Sequence, residues 1–511
     1  MKKLVLYVLV ASVALSSCQK FIDVNTNPNT ATVTKANFIF ANALNSSARV
    51  MVGGLHITPG SWTGYYAHST SFTGGGEEKT YVFTNNSFNF FDGLMDNLND
   101  YQYVIDHAAA DGFPHLVGPS MIMQAMMWQK LVDIYGNVPY SEALQGTKFI
   151  TPKYDDAATI YQSLVGKLTA AVTLINGTTF PANEPADIIF NANATRWKQF
   201  ANTLKLRLIV RRSNVAGYNA AADIATISGD GFIDAIVLSN PGYTKTVGKL
   251  NQYYQNYGFN ENDAPTGDFR KMQQPIIEWL KASSDIFRLS RIASAKGDPE
   301  NNTFSQNPAD YYAAPLGGVN TPNCYLSACV SAMGRMQIKK GDATRPMIIM
   351  TDAESYLLQA EARQRGWLAG SAQAAYEEGV RRDFNVVANT YASFATATVA
   401  QANAAANAYL TSGIANADWN ASPDKLKAIW VQKWIALCNI DGSEAWAEYR
   451  RATSPSNPNG TLPPGYTAHS VAVGGPEPVR LYYPLREESV NGANVPQGIN
   501  IFTSRIFWDV N

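Results

Sequence analysis

Charge is scarce in this chain. Aspartate, glutamate, lysine and arginine make up 16% of its 511 residues, against about 25% in an ordinary soluble domain. The net charge is −1, so there is no basic surplus to attract a polyphosphate, and nucleic acid is not an expected partner. Histidine is scarcer still. His56, His68, His107, His115 and His469 are the whole set, and none stands at ligand spacing from another. Four cysteines without neighbouring histidines argue against zinc. The motifs of catalysis are missing: there is no G-x-S-x-G elbow and no H-E-x-x-H. Residues 242–250, GYTKTVGKL, imitate a phosphate-binding loop but have five intervening residues instead of four, and Leu250 stands where a Ser or Thr must hold magnesium. A glycosidase needs two nearby carboxylates. The acids placed in aromatic loops are Glu77, Glu78, Glu261 and Asp263, and they read as solvated charges or as contacts to a hydroxyl. No catalytic residue and no cofactor are expected. A structural calcium remains an option at the Asn/Asp-rich residues 260–268, where hard oxygen ligands concentrate.

Long apolar runs are also missing beyond the first residues. Lys2 and Lys3 precede an apolar stretch at residues 4–15, too short for a membrane span and suited to a signal peptide. It ends in Leu15-Ser16-Ser17-Cys18, the pattern of a bacterial lipobox. Residues 1–17 are therefore expected to be removed and Cys18 to be lipidated, with several acyl chains giving a stable anchor. Residues 18–34 read as an extended tether, and residues 35–511 as a single domain. Cys324 and Cys329 lie five apart in a loop and are a possible disulfide; Cys438 reads as a small buried hydrophobe.

What is present in quantity is helical periodicity and aromatic side chains. Residues 38–52 carry one helical pattern, and four helix pairs follow, at about 92–135, 154–212, 351–388 and 422–451. The second helix of the first pair is apolar almost all round, with only Lys130 and Asp133 charged between 120 and 135, so it is expected to be buried between other elements. Gly136-Asn137 and Pro139 end it. Residues 351–388 resemble a tetratricopeptide helix pair, and the uneven spacing indicates such units with insertions. The fold class expected is mainly α with minor β and an irregular side. Residues 229–345 break the pattern with long Gly-, Pro-, Asn- and Tyr-rich stretches, and residues 479–491 and the tail read as mostly extended.

Aromatics reach 11%, with 26 Tyr and 10 Trp, and many lie in these irregular parts. Trp62, Tyr65, Tyr66 and Phe72 share one Gly/Ser/Thr loop. Tyr253, Tyr254, Tyr257 and Phe259 share a second, and Tyr311 and Tyr312 a third. Flat rings cover the apolar faces of sugars while amides and acids bond the hydroxyls. Local packing beneath long loops is the plainer explanation for each ring taken singly.

An ordered set of motifs resembles the SusD/RagB family of outer-membrane nutrient-binding lipoproteins. The set runs from Cys18 and DVNTNPN (residues 23–29) through IYGNVPYSEAL (134–144) and RWKQFANTLKLRL (196–208). It continues with DAESYLLQAEA (352–362), QKWIALCNIDGSEAWAEYRR (432–451) and RLYYPLREE (480–488). The resemblance implies tetratricopeptide-like pairs on one side and an irregular ligand-binding side. It also implies a membrane-anchored protein facing the cell exterior that delivers an oligosaccharide to a SusC-like TonB-dependent transporter. In that family the loop after the first helix faces the central insertion, which would set Trp62, Tyr66 and Phe72 opposite Tyr257, Asp263 and Tyr311. Peptide capture on the same scaffold and a secreted glycan hydrolase are the alternatives.

Overall fold

The computed structural model describes residues 34–71, 76–267, 269–298, 303–319, 324–334, 336, 338–392, 394–454 and 457–511. The expected signal peptide, the lipidated Cys18, nearly all of the tether and Phe72 lie outside them.

Helices dominate. Besides two single-turn helices at Glu77–Thr80 and Ala220–Ile224, they are in chain order α1 Ala36–Met51, α2 Gly54–Ser61, α3 Phe91–His107, α4 Val117–Tyr135, α5 Ala157–Asn176, α6 Ala194–Arg211, α7 Gln252–Tyr257, α8 Gln274–Ala282 and α9 Ile286–Ile292. The second half adds α10 Asp352–Gln364, α11 Ala372–Val387, α12 Val399–Leu410, α13 Lys425–Leu437, α14 Gly442–Ala452 and α15 Leu485–Asn491. Side-chain caps start most of the long ones. Asp156, Asn193, Thr351, Ser371, Asp424 and Asp441 each accept a hydrogen bond from the backbone N–H three residues on, each worth about 1 kcal/mol. Among the described residues six strands form three two-stranded antiparallel ribbons: β1 Tyr66–His68 with β5 Arg270–Met272, β2 Val138–Pro139 with β3 Tyr154–Asp155, and β4 Val237–Ser239 with β6 Met347–Met350.

Neighbouring helices pack in sequence: α3 on α4, α4 on α5, α5 on α6, α10 on α11 and α13 on α14. Helix α1 closes on α3, α10 meets α13, and α2 lies against α14. The all-round apolar α4 is central, as its composition predicts, with all but two of its 19 residues buried. Among the described residues only α5 is long and apolar enough to cross a membrane, and it packs between α4 and α6.

Several elements depart from the sequence expectation, among them α7 and α9, which form inside the stretch 229–345 that reads as irregular apart from one helix near 272–283. Helix α12 buries only Ala402, Ala406, Tyr409 and Leu410, too narrow a stripe to stand out among its alanines and asparagines. It is started by a capping box between Thr398 and Gln401. Helix α2 contains Pro59 and two glycines, poor helix formers that read as loop; burial on all sides overrides propensity there. Helix α15 replaces part of the extended tail expected at 479–491. The turn after α4 is a corner: Gly136 takes φ 75°, Arg480 donates to the Tyr135 carbonyl, and Tyr483 donates to the Asn137 carbonyl at 2.6 Å.

Charged groups concentrate where α6, α10, α13 and α14 meet. Arg207 grips Glu354 with two bonds of 2.9 Å. Arg211 reaches Glu444 and Glu448, and Arg451 bridges Glu361 and Glu448 at 2.7 and 2.6 Å. Lys433 lies 3.4 Å from Glu448. Four cations thus face four carboxylates, each at most 5% exposed. Burial pushes the Glu448 carboxyl up, but Arg451, Lys433 and Arg211 pull it further down, and it is held well below the usual carboxylate range.

A second buried polar chain ties α2 to α14. The Gly442 N–H donates to His56 Nδ1 at 3.3 Å. With that nitrogen accepting, Nε2–H donates to the Tyr66 oxygen at 2.9 Å, and the Tyr66 hydroxyl donates to Asn439 Oδ1 at 3.0 Å. The imidazole is satisfied only when neutral. Burial pushes its pKa down to about 4, although Asp441 pulls the other way. A base depressed from about 6.5 to about 4 stabilises the fold above pH 6.5, and this stability drains away as pH falls to 4. It amounts to on the order of 3 kcal/mol. Thermal denaturation of wild type and His56→Gln across pH 4–7 is expected to show a steeper acid loss in the wild type. Gly442 permits the close approach, since a Cβ there would stand 1.9 Å from the His56 carbonyl oxygen. Gly442→Ala is expected to lower stability by about 3 kcal/mol or more, as overpacking against immobile backbone does, measured by urea unfolding.

Candidate functional site

The irregular side is assembled from three separate stretches. In the β1–β5 ribbon, Tyr66 faces Met272, Ala67 faces Lys271 and His68 faces Arg270. The pairing continues past the ribbon: Ser69 N–H donates to the Phe269 carbonyl at 2.7 Å and Thr70 N–H to the Tyr325 carbonyl at 2.9 Å. On the other edge, Met272 N–H donates to the Ser331 carbonyl and Ser331 N–H to the Tyr312 carbonyl, at 2.9 and 2.7 Å. Residues 66–71, 269–272, 311–319 and 324–331 therefore lie side by side, which brings the loop beyond the first helix against the central insertion.

A small apolar cluster, separate from the main core, holds this face together. Ala67, Ala314, Tyr325 and Val330 form it, with Tyr312 and Cys329 packed against it. Cys324 and Cys329 are joined in a disulfide across a Cα separation of 6.0 Å, which closes the turn that carries Tyr325. Ser327 in the same turn donates to Ser69 Oγ at 2.8 Å. The Tyr312 and Tyr325 rings lie nearly parallel, 16° apart with centroids at 6.1 Å. Tyr325 is buried and Tyr312 is partly open to solvent. A cavity of about 330 Å³ is lined by Lys271, Ser294 and Asp298, by Ser327 of this turn and by Val330 of this cluster, among others. On the far side of the ribbon His68 stacks on Phe269 at 7° and pairs with Glu78 at 2.9 Å. Burial pushes the Glu78 carboxyl up, but the bond to His68 and the nearby charges of His68 and Arg270 together outweigh it, and the carboxyl stays below its ordinary value. The acid expected to be solvated is thus a buried partner of histidine. An open aromatic face beside hydroxyl, ammonium and carboxylate groups can hold an amphipathic, hydroxyl-rich ligand.

Most of the aromatic residues expected to form the platform do something else. Trp62, Tyr65, Tyr66 and Tyr311 are at most 1% exposed and belong to the main core. Their polar tips explain it. Trp62 donates to the Glu78 carbonyl at 3.1 Å, Tyr65 to the Trp434 carbonyl, and Tyr311 to the Ser305 carbonyl at 3.0 Å. Tyr66 belongs to the His56 chain. A ring with an apolar body and one satisfied tip can pin an irregular loop onto a core, so loop composition alone cannot distinguish a pin from a platform. Tyr257 also pins, donating to the Val52 and Gly53 carbonyls at 2.7 and 3.0 Å. Tyr253, Tyr254 and Phe259 are buried around it. Asp263 is an ion-pair partner of Lys245 and accepts from Tyr254 at 3.2 Å. Asn260 Oδ1 accepts from the Asn262 and Ala264 N–H groups. These oxygens are engaged within the chain, and among the described residues no group of three or more His, Cys, Asp or Glu could hold a metal. Of the expected residues that the structure describes, Tyr312 packs on the small cluster of this face. Tyr325, Lys271 and Asp298 were not singled out. The usable signal for Tyr325 was its place between the two cysteines of CYLSAC.

A family model described as "Starch-binding associating with outer membrane" (SusD-like) matches residues 28–484. The chain belongs to the SusD-like family. No curated protein matches it. Among solved structures, a SusD homolog from Bacteroides fragilis is 20% identical, with a TM-score of 0.73 over 93% of this chain and 99% of that one. A chitin-binding SusD homolog from Flavobacterium johnsoniae is 21% identical, with a TM-score of 0.70 over the same shares. A chitin-binding protein is 25% identical, with a TM-score of 0.69, again over 93% and 99%. As a SusD-like protein the chain is a lipid-anchored outer-membrane protein that binds nutrient at the cell surface and partners a SusC-type transporter. Its core aromatics give a direct check on the assignment of Trp62. Trp62→Ala is expected to cost about 3–5 kcal/mol of stability, as buried aromatic truncations do, read from the unfolding midpoint.

Proposed function

We propose that this SusD-like protein captures a neutral oligosaccharide on the face made by residues 66–71, 269–272, 311–319 and 324–331, with chito-oligosaccharides the first candidates. It then delivers the sugar to the transporter. The observation that carries this reading is the Tyr312–Tyr325 pair together with a cavity lined by Lys271, Asp298, Ser327 and Val330, which the pair's own cluster joins through Val330. One ring face can cover the C–H side of a sugar while the neighbouring groups exchange hydrogen bonds with its hydroxyls. The chitin-binding relative at 25% identity supports the choice of sugar. Peptide capture fits less well. A peptide adding to the ribbon would need free strand edges, and here the edges already pair with Tyr325 and Ser331. Tyr312→Ala is expected to weaken binding of a chitin tetrasaccharide by roughly 5- to 30-fold, as loss of about 1–2 kcal/mol implies, and to leave the unfolding midpoint unchanged. Calorimetric titration of both proteins provides the test. Equal affinity would remove Tyr312 from the site, and binding of peptides with no oligosaccharide bound would overturn the reading.

A further inference from the structure

A second cavity, of about 310 Å³, is built from the C-terminal part of the chain and shares no lining residue with the first. Its wall is aromatic. Trp446 and Tyr449 come from α14, Phe502 from the tail, and Tyr466 from the irregular segment between them. Trp446 and Tyr449 are buried, whereas Tyr466 and Phe502 are partly open, so an aromatic surface faces the space. Into the same space project Glu477 and His469. The Tyr449 hydroxyl donates to Glu477 Oε1 at 3.1 Å, and His469 Nδ1 lies 3.7 Å from the same oxygen. Among the described residues both contacts of Glu477 engage Oε1, which leaves Oε2 to accept from a ligand hydroxyl.

The segment that closes the cavity is irregular but tied down. Ser470 N–H donates to the Tyr81 hydroxyl at 2.8 Å, Val471 N–H to the Leu316 carbonyl at 2.9 Å, and Val479 N–H to the Ile501 carbonyl at 2.7 Å. The other cations are already committed: Arg450 donates to the Val479 and Asp133 carbonyls, and Arg505 pairs with Asp509 at 2.7 Å. No surplus positive charge is left to select an anion. Pro458, Pro476 and Pro478 contribute to the lining, and without N–H groups they cannot pair with a peptide backbone. A volume near the small end of the ~300–1,000 Å³ range of ligand pockets suits one ring rather than a chain.

We propose that this cavity is a second sugar site that takes a terminal ring of a neutral oligosaccharide between Tyr466 and Glu477. The proposal rests on the glycan reading of the first site, and paired variants separate the two. The chain downstream of Cys18 is titrated with the N-acetylglucosamine trimer and with maltotriose by calorimetry and by saturation-transfer NMR. Glu477→Gln keeps the shape of the side chain, and Tyr466→Ala alters a partly exposed residue, so both are expected to keep the wild-type unfolding midpoint. Tyr312→Ala is expected to retain a weaker binding event for at least one sugar. Adding Glu477→Gln or Tyr466→Ala should weaken that event by about tenfold or more, as loss of a bond to a charged group does. Complete loss of binding in Tyr312→Ala alone, or residual binding untouched by both cavity variants, would overturn the second site. Wild-type binding in Tyr312→Ala together with loss in the cavity variants would support the second site and remove the first. No binding of either sugar to the wild type would overturn the glycan reading and this proposal with it.

Discussion

Eight charged side chains buried where four helices meet set the register of this protein. Arg207 and Arg211 come from α6, Glu354 and Glu361 from α10, Lys433 from α13, and Glu444, Glu448 and Arg451 from α14. A network of this kind adds little net stability, because removing the ions from water offsets their attraction. Its effect is on alternatives. Sliding any of these helices by one turn would strand a charge in the core, and leaving one buried charge without its partner costs about 3–5 kcal/mol. The apolar contacts around the network tolerate such slips far better, since dispersion and burial carry no direction. The chain's low overall charge makes this concentration more telling.

The motifs that carry the family resemblance turn out to be the carriers of this network. RWKQFANTLKLRL holds Arg207, DAESYLLQAEA holds Glu354 and Glu361, and the stretch at 432–451 holds Lys433, Glu444, Glu448 and Arg451. IYGNVPYSEAL and RLYYPLREE meet at the corner after α4, through Arg480 and Tyr483. The order of motifs along the chain is thus a record of contacts in space. That is why the helical scaffold was legible from sequence, including the central position of α4. Short or atypical helices such as α2 and α12 were not legible, because their stability comes from neighbours and caps rather than from a repeating apolar stripe.

The ligand face was legible only in outline. The expectation that the loop after the first helix meets the central insertion agrees with the ribbon at Tyr66–His68. The choice of residues within it fared worse. A tyrosine in a glycine-rich loop carries the same one-letter signature whether its hydroxyl reaches a backbone carbonyl or solvent. Tyr65 and Tyr311 do the former, and Tyr312, one residue beyond Tyr311, turns its ring the other way. The alternation comes from an extended backbone, in which neighbours point to opposite sides. It cannot be read until the pairing of 311–331 with the ribbon is known.

The satellite cluster of Ala67, Ala314, Tyr325 and Val330, cross-linked by Cys324–Cys329, has a consequence for how such a protein diversifies. The proposed binding rim has its own small core and its own covalent clasp, so residues on that face draw little on the cooperative unit built around the buried charges. Changes at the rim can alter which nutrient is held without approaching the stability threshold of the whole molecule, the limit that ordinarily restricts functional change. A scaffold divided in this way separates the part that must stay constant from the part that can drift. Relatives near 20% identity that keep nearly the full fold are what such a division allows.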